Sequence, residues 1–292
     1  MASLDFLKKQ KVFVFDGSMG TMLQTIAMKE FLCPEEFVLI NPDLVKNIHS
    51  AYINAGSDII QTNTFGANSY RLKKFGLSNK SYEINSRAVE LARSCAKDKV
   101  VAASVGPLGD LIEPYGNVSE GEAFEAYFEQ AKGLSEVDFI NIETIQSFKE
   151  AEIIISAFRA NYKLPISLSA TFQKTAKGYY TIMGHSVQEF VEKAIELDVD
   201  IIGTNCGEGF NQAYDIINEI KQLTNLPLLA KPNAGIPVIE NDKIIYPETP
   251  DKILDVVEKF LLSGVKILGG CCGTTPEHIK SIKKIANKIN FS

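Results

Sequence analysis

The sequence of 292 residues lacks the features that mark membrane-spanning, secreted and disordered proteins. It has no apolar run near the ~18 residues that a membrane-spanning helix needs. Its first apolar run, Val12–Phe15, ends at Asp16 and is too short for a signal peptide. Low-complexity segments and Pro/Ser-rich linkers are also missing, so no domain boundary is visible. The sequence therefore predicts a single domain over residues 1–292 and a cytoplasmic location.

Positive charge and cysteine are both scarce. The 30 Lys and Arg residues are outnumbered by 36 Asp and Glu residues, which gives a net charge of −6, and no basic run occurs. This balance argues against nucleic acid or an anionic membrane as the main partner. The 5 cysteines are an odd number, which disfavours a disulfide framework and favours metal binding or catalysis. Cys33 and Cys95 have contexts typical of packing or surface residues, and His49 and His278 are predicted on helix surfaces.

Short runs rich in Val, Ile and Phe alternate with helical patterns along the whole chain. Continuous apolar runs are typical of parallel strands that are buried on both faces. The eight predicted strands are Val12–Asp16, Asp58–Thr64, Val100–Gly106, Phe139–Thr144, Pro165–Thr171, Ile201–Cys206, Leu228–Asn233 and Val265–Cys271. Eight strand–helix units predict an α/β fold, a single (β/α)₈ TIM barrel. The alternative is a doubly wound open sheet, but Asp16–Gly20 lacks the glycine spacing of its phosphate-binding turn.

Several helix starts carry local signals. Capping boxes are predicted at Ser119/Glu122, Ser147/Glu150 and Ser186/Glu189, and Pro276 is predicted to open the last helix. Three strand-to-helix loops are long, and the loop over residues 234–249 predicts a small hairpin around Asn241-Asp242. In a barrel these loops all lie at the C-terminal face, where active sites are built.

Polar residues end the predicted strands, where a buried strand would otherwise stay apolar. They are Asp16, Asn63, Glu143, Thr171, Cys206, Asn233, Cys271 and Cys272. A barrel would gather all of these residues on one rim, as at an active site.

The three rim cysteines form a set of soft ligands. Cys206 lies in Gly-Thr-Asn-Cys-Gly, and Cys271 and Cys272 lie in Gly-Gly-Cys-Cys-Gly, where glycines permit unusual backbone angles. Three thiolates suit Zn²⁺ and leave one coordination position open, which is the catalytic arrangement. Two alternatives stay open from spacing alone: buried cysteines that serve as small apolar residues, and a disulfide between Cys271 and Cys272.

The motifs Ile201–Gly209, Lys231–Gly235 and Gly269–His278 resemble the zinc-dependent homocysteine S-methyltransferase family. Asp16–Thr21 and Gln61–Asn68 fit the same family, and the second of these segments is most similar to the homocysteine module of cobalamin-dependent methionine synthase. The resemblance implies a (β/α)₈ barrel with one zinc ion on Cys206, Cys271 and Cys272. It also implies methyl transfer to the thiol of L-homocysteine, giving L-methionine.

The amino-acid end of such a substrate needs contacts of its own. The family uses acidic residues at the motifs of Asp16 and Glu143, so the resemblance implies that both bind the substrate ammonium. Backbone N–H groups of Phe65, Gly66 and Ala67 are a weaker prediction for the carboxylate. Asn233 is predicted either to fill the open zinc position without substrate or to contact the substrate, and a turn-capping role is the alternative. Lys231 lies inside a predicted strand, and Pro232 beside it argues against a Schiff-base role.

The methyl donor divides the functional hypotheses. The chain ends soon after its eighth unit, so folate-binding and cobalamin-binding functions are expected on other chains, or on a longer protein of which this is one module. The first hypothesis is therefore a methylcobalamin-carrying protein that acts in trans. The second is a self-sufficient enzyme that uses S-methylmethionine or S-adenosylmethionine, for which aromatic groups such as Tyr115, Tyr179 and Tyr180 would favour a cationic donor. A non-catalytic zinc- or thiol-binding module and a metal-independent barrel aldolase or isomerase are the remaining alternatives.

Overall fold

Eight short parallel strands form the centre of the protein, which is described here by a computed structural model covering residues 4–27, 33–240 and 243–290. The strands are β1 (Phe13–Val14), β2 (Ile59–Gln61), β3 (Val100–Val105), β4 (Phe139–Ile145), β5 (Ile166–Ala170), β6 (Ile201–Cys206), β7 (Leu228–Pro232) and β8 (Ile267–Leu268). Hydrogen-bonded neighbours follow the order β1-β8-β7-β6-β5-β4-β3-β2. A parallel bridge from Phe15 to Ile59 brings β1 beside β2, so the sheet closes as a barrel.

Helices surround the barrel. In the described ranges they are α1 (Met19–Ile26), α2 (Phe37–Ile40), α3 (Pro42–Ala55), α4 (Ser69–Leu72), α5 (Ser81–Ala96), α6 (Glu120–Lys132), α7 (Phe148–Asn161), α8 (Val187–Glu196), α9 (Phe210–Leu223), α10 (Leu254–Leu262) and α11 (Pro276–Asn290). Their apolar faces pack on the outside of the strands and form the main core. Among these helices, none has the length and apolar character to cross a membrane.

The interior of the barrel changes from apolar to polar along the strand direction. A separate apolar cluster fills its lower half: Leu7, Phe13, Phe15, Ile59, Ala102, Phe139, Ile201, Leu229 and Ile267. Residues two or four positions further along a strand point to the same side. Several of those positions hold buried polar side chains: Ser104, Asn141, Glu143, Asn205 and Lys231. Because buried polar groups need partners, the upper half of the barrel is the place to look for a site.

Most of the fold predictions are confirmed. All eight predicted strands are present, as a barrel rather than an open sheet. Capping boxes form at Ser119 and Ser186, and α11 begins at Pro276. The predicted hairpin pairs residues Val238–Glu240 with Lys243–Ile245, and its Asn241-Asp242 turn lies outside the described residues.

Two local predictions are wrong. Ser147 accepts from the Glu150 N–H, but the Glu150 carboxylate does not complete the capping box. It instead accepts hydrogen bonds from the Leu108 N–H at 2.7 Å and the Tyr127 hydroxyl at 3.0 Å, because α7 turns it inward. His49 and His278 are also buried rather than on helix surfaces.

Candidate active site

The three rim cysteines meet at the C-terminal end of the barrel, from strands that are distant in sequence. Cys206 is the last residue of β6, and Cys271 and Cys272 follow β8. Their sulfurs all lie within 4.8 Å of one another, and those of Cys206 and Cys271 are 3.0 Å apart. A side chain at Gly270 would meet Thr274 Oγ1 at 2.3 Å, so a glycine is required before the cysteine pair.

The three cysteines of the cluster differ in the pKa of their thiols. Hydrogen bonds from Cys206 and Cys271 lower the pKa of Cys272 to about 3. Hydrogen bonds to the other two sulfurs, followed by burial, raise the pKa of Cys206 well above its ordinary value. Hydrogen bonds from its two neighbours therefore stabilise the Cys272 thiolate, and metal binding would release the protons that Cys206 and Cys271 retain.

A cavity of about 320 Å³ opens above the cysteines. Its lining includes the three cysteines, Glu143, Lys231 and Phe65. The polar groups therefore converge on one small concave space, as in a substrate site.

Asp16 and Glu143 are both buried at this end of the barrel; Glu143 lines the cavity, whereas Asp16 is not among the described residues that line it. Glu143 accepts from the Ser104 hydroxyl at 2.6 Å, and Asp16 Oδ2 accepts from the Gln61 N–H at 2.9 Å. The other Asp16 oxygen is buried and has no hydrogen-bond partner within the described ranges. Burial raises the pKa of Asp16 to about 7. An incoming ammonium would give the free oxygen a partner and favour the charged carboxylate.

Lys231 takes part in this charged group, which sequence reasoning missed. Its ammonium lies 2.6 Å from Gln61 Oε1, 3.2 Å from Glu143 Oε2 and 4.3 Å from the centre of the Phe15 ring. Burial lowers its pKa, but the carboxylates of Glu143 and Asp16 outweigh that effect and raise it. The available signal was a lysine in an otherwise apolar strand, two residues beyond the inward-facing Leu229.

Asn205 and Thr144 were also missed as site residues. Asn205 Nδ2 donates to Thr144 Oγ1 at 2.8 Å and to Cys206 Sγ at 3.3 Å. Asn205 Oδ1 accepts from the Thr144 N–H at 2.7 Å. Thr144 has a φ of 65° and Cys206 a φ of 59°, and such left-handed conformations are uncommon outside glycine. The asparagine thus links Thr144 to Cys206 of the cysteine cluster, two residues with left-handed backbone conformations.

The weaker substrate predictions have a mixed placement. Phe65 lines the cavity, but the Gly66 N–H donates to Glu35 Oε1 at 2.6 Å and the Ala67 N–H to Thr64 O at 3.0 Å. Two of the three N–H groups assigned to a substrate carboxylate therefore already have partners in the chain. Glu35, which lines the cavity, was not singled out from the sequence.

Asn233 follows β7, close to the Cys206 segment. Its Nδ2 donates to Gly207 O at 2.8 Å and its N–H to Cys206 O at 3.2 Å. Its Oδ1 is buried without a partner in the described part of the chain. Asn233 therefore fixes the Cys206 loop, while its oxygen stays available as the predicted ligand or substrate contact.

The donor set fits zinc. Three sulfur ligands this close together form a soft site with one open position, matching a catalytic zinc centre. The tyrosines considered for a cationic donor lie elsewhere: among the described residues that line the cavity, Tyr115, Tyr179 and Tyr180 are all absent.

Comparison with known proteins gives consistent matches. A family model described as homocysteine S-methyltransferase matches residues 13–286. Methionine synthase from Mycobacterium leprae is 28% identical over 302 residues, and the M. tuberculosis protein is 29% identical over 300 residues. Each alignment covers 96% of this chain and 25% of the relative, so the chain spans about a quarter of their length. The metallated form of the homocysteine methyltransferase MmuM from Escherichia coli superposes with a TM-score of 0.81 at 22% identity, covering 97% of this chain and 99% of that one. That structural similarity supports the fold.

Proposed function

Because the chain belongs to the homocysteine S-methyltransferase family, we propose that it transfers a methyl group to the sulfur of L-homocysteine and releases L-methionine. The observation that carries this proposal is the cluster of Cys206, Cys271 and Cys272 at a cavity that also holds Glu143. A thiol substrate needs a soft metal at one end, and an amino acid needs a carboxylate at the other. The cavity offers three thiols that could hold such a metal and, in Glu143, a buried carboxylate.

Each group of residues at the cavity has its own role in the proposed reaction. Cys206, Cys271 and Cys272 would hold zinc, which when bound supplies Lewis acidity that lowers the pKa of the substrate thiol. Asp16 and Glu143 would bind the substrate ammonium and orient the sulfur toward the cysteines. Phe65 would cover the cavity and restrict water near the reacting sulfur.

We favour a methylcobalamin-carrying protein as the methyl donor. Support comes from the two methionine synthases, which match this chain over only a quarter of their length. Tyr115, Tyr179 and Tyr180, the tyrosines considered for a sulfonium donor, are also not among the described residues that line the cavity. The same proposal includes a corrinoid-carrying protein as the partner of this chain and a cytoplasmic location.

A donor panel tests the proposal. Zinc-loaded protein would be incubated with L-homocysteine and, separately, with methylcobalamin, S-methylmethionine, S-adenosylmethionine or betaine, and methionine would be counted by mass spectrometry. We expect turnover with methylcobalamin and none after Cys206→Ser or Cys272→Ser. Cys95→Ser is the matched control, because Cys95 lies in α5 away from the cluster.

Each other result has a definite meaning. Turnover with a sulfonium donor alone would replace the corrinoid hypothesis with a self-sufficient enzyme. Bound zinc without turnover from any donor would favour the non-catalytic module. Activity that survives the loss of the cysteines would favour a metal-independent barrel enzyme.

A further inference from the structure

The three cysteines of the cluster do not have equal surroundings. Asn205 Nδ2 lies 3.3 Å from Cys206 Sγ but 4.0 Å from Cys271 Sγ. An N–H···S contact places positive charge against the sulfur, and it withdraws electron density most from the sulfur it is nearest. Cys206 is therefore the ligand whose thiolate Asn205 stabilises most.

Asn205 is built into the fold so that its amide cannot turn away. Thr144 engages both ends of the amide, donating its N–H to Oδ1 and accepting from Nδ2. The Thr171 hydroxyl donates to the Asn205 backbone carbonyl at 3.0 Å. The amide orientation is consequently fixed by residues of β4 and of the segment after β5.

The backbone is strained where these contacts are made. Thr144 and Cys206 both have positive φ, and the pairing of β4 with β5 shifts register between Ile142 and Ile145. Such a conformation is unfavourable for a non-glycine residue and persists where its surroundings enforce it. This backbone brings Thr144 against Asn205 and places the Cys206 sulfur 3.0 Å from that of Cys271.

A site that methylates a thiol carries a hazard of its own, because its cysteine ligands are nucleophiles too. Attack by the Cys206 sulfur on a methyl donor would form a new S–CH₃ bond, break the bond from the methyl group to its leaving group, and release that group with its electron pair. The product would be S-methylcysteine, a thioether that binds zinc poorly. A hydrogen bond to the ligand sulfur lowers its nucleophilicity while preserving the thiolate.

We propose that Asn205, held by Thr144, is a positioning residue that orients Cys206 as a metal ligand and protects it from methylation. This inference builds on the proposed function but concerns the ligand sulfur, not turnover. It predicts that removal of the amide makes Cys206 a better nucleophile and a poorer metal ligand.

The test uses the full chain loaded with zinc and exposed to iodomethane. Methylation of each cysteine would be followed by peptide mass spectrometry in wild type, Asn205→Ala and Thr144→Val. We expect Asn205→Ala to raise the Cys206 methylation rate about tenfold relative to Cys272, and Thr144→Val to raise it less. Asn161→Ala is the matched control, because the Asn161 amide bonds only to helix carbonyls on the outside of the barrel in the described structure.

A second readout separates positioning from general damage. Chelator competition should show zinc affinity reduced by 10- to 100-fold in Asn205→Ala, a range typical of partners of metal ligands. With Co²⁺ in place of zinc, the sulfur-to-metal absorption band should shift in Asn205→Ala but not in Asn161→Ala. Equal Cys206 methylation in wild type and both variants, or an unshifted cobalt band, would overturn the inference. The rates do not need homocysteine, so failure of the proposed function would leave this result readable.

Discussion

The ammonium of Lys231 lies 3.2 Å from a Glu143 oxygen, and both side chains are almost fully buried. From the sequence, the only role considered for Lys231 was a Schiff base. In the structure its ammonium instead contacts Glu143 and Gln61. Its charge explains how two carboxylates, Asp16 and Glu143, are tolerated at this buried end of the barrel, since both raise the pKa of Lys231. Two like charges in a site of low polarity oppose each other, and a cation that attracts both offsets that repulsion.

The first prediction concerns this pair. Lys231→Met leaves Glu143 buried without its counter-charge, so we expect it to reduce the free energy of unfolding by about 3–5 kcal/mol. The double variant Lys231→Met/Glu143→Gln removes both charges and should be less destabilised than the single one. Urea unfolding followed by circular dichroism measures both. Equal stability of wild type and Lys231→Met would contradict the pairing.

His49 gives a second residue-scale prediction, on pH. Burial lowers the pKa of His49 to about 4, and both ring nitrogens lack partners within the described ranges. The unfolded chain protonates near pH 6.5, so between about pH 6.5 and 4 it binds the extra proton and stability falls as the pH falls. His49→Leu should remove about 2 kcal/mol of the loss between pH 7 and 5.

The control for that prediction is His185→Leu. The His185 ring stacks on Phe148 and is only partly buried. Burial therefore lowers the pKa of His185 by less than it lowers the pKa of His49. Urea titrations at the two pH values should therefore separate the variants. If His49→Leu kept the full acid sensitivity, the buried neutral imidazole would not be its source.

At the scale of elements, the sequence predicted all eight strands but only some of the helix caps. All eight apolar runs became strands because burial on both faces demands apolar residues, which the sequence displays. Their polar ends were overestimated: the first strand is Phe13–Val14 and the last is Ile267–Leu268, since the rim residues bend toward the cavity. The predicted Ser147/Glu150 capping box does not form, because the Glu150 carboxylate accepts from the Tyr127 hydroxyl instead of from the Ser147 N–H.

That failure gives the element-scale prediction. Glu150 joins α7 to the loop after β3 through Leu108 and to α6 through Tyr127, whereas Glu122 closes an exposed capping box. Glu150→Ala leaves the buried Leu108 N–H unpaired and leaves the Tyr127 hydroxyl with the Gly106 carbonyl alone, so we expect a loss of about 2–4 kcal/mol of stability. Glu122→Ala should lose about 1 kcal/mol or less. Denaturant midpoints compare the two, and equal losses would contradict this role of Glu150.

At the scale of the whole molecule, site residues were predictable only where a residue type is unusual. The cysteines stood out because three thiols at strand ends are rare. Gln61, Asn205 and Lys231 did not, because their roles come from which strands lie side by side in the closed ring. The sequence alone does not say that β4 and β6 face each other across β5, and the Asn205–Thr144 contact depends on that geometry.

The last prediction uses the distance in sequence between the ligands. Cys206 and Cys271 are 65 residues apart, so an unfolded chain has no preformed site and zinc should bind the folded barrel selectively. With free zinc at 1,000 times its dissociation constant the folded state gains about 4 kcal/mol, which should raise the melting temperature by roughly 10 °C. Scanning calorimetry with and without a chelator measures this, with Cys95→Ser expected to respond like wild type. Cys271→Ser should respond much less, because the ion then loses one of its three sulfur ligands and the strand linkage they provide. Identical melting temperatures for wild type with and without zinc would contradict a metal site that joins β6 to the segment after β8.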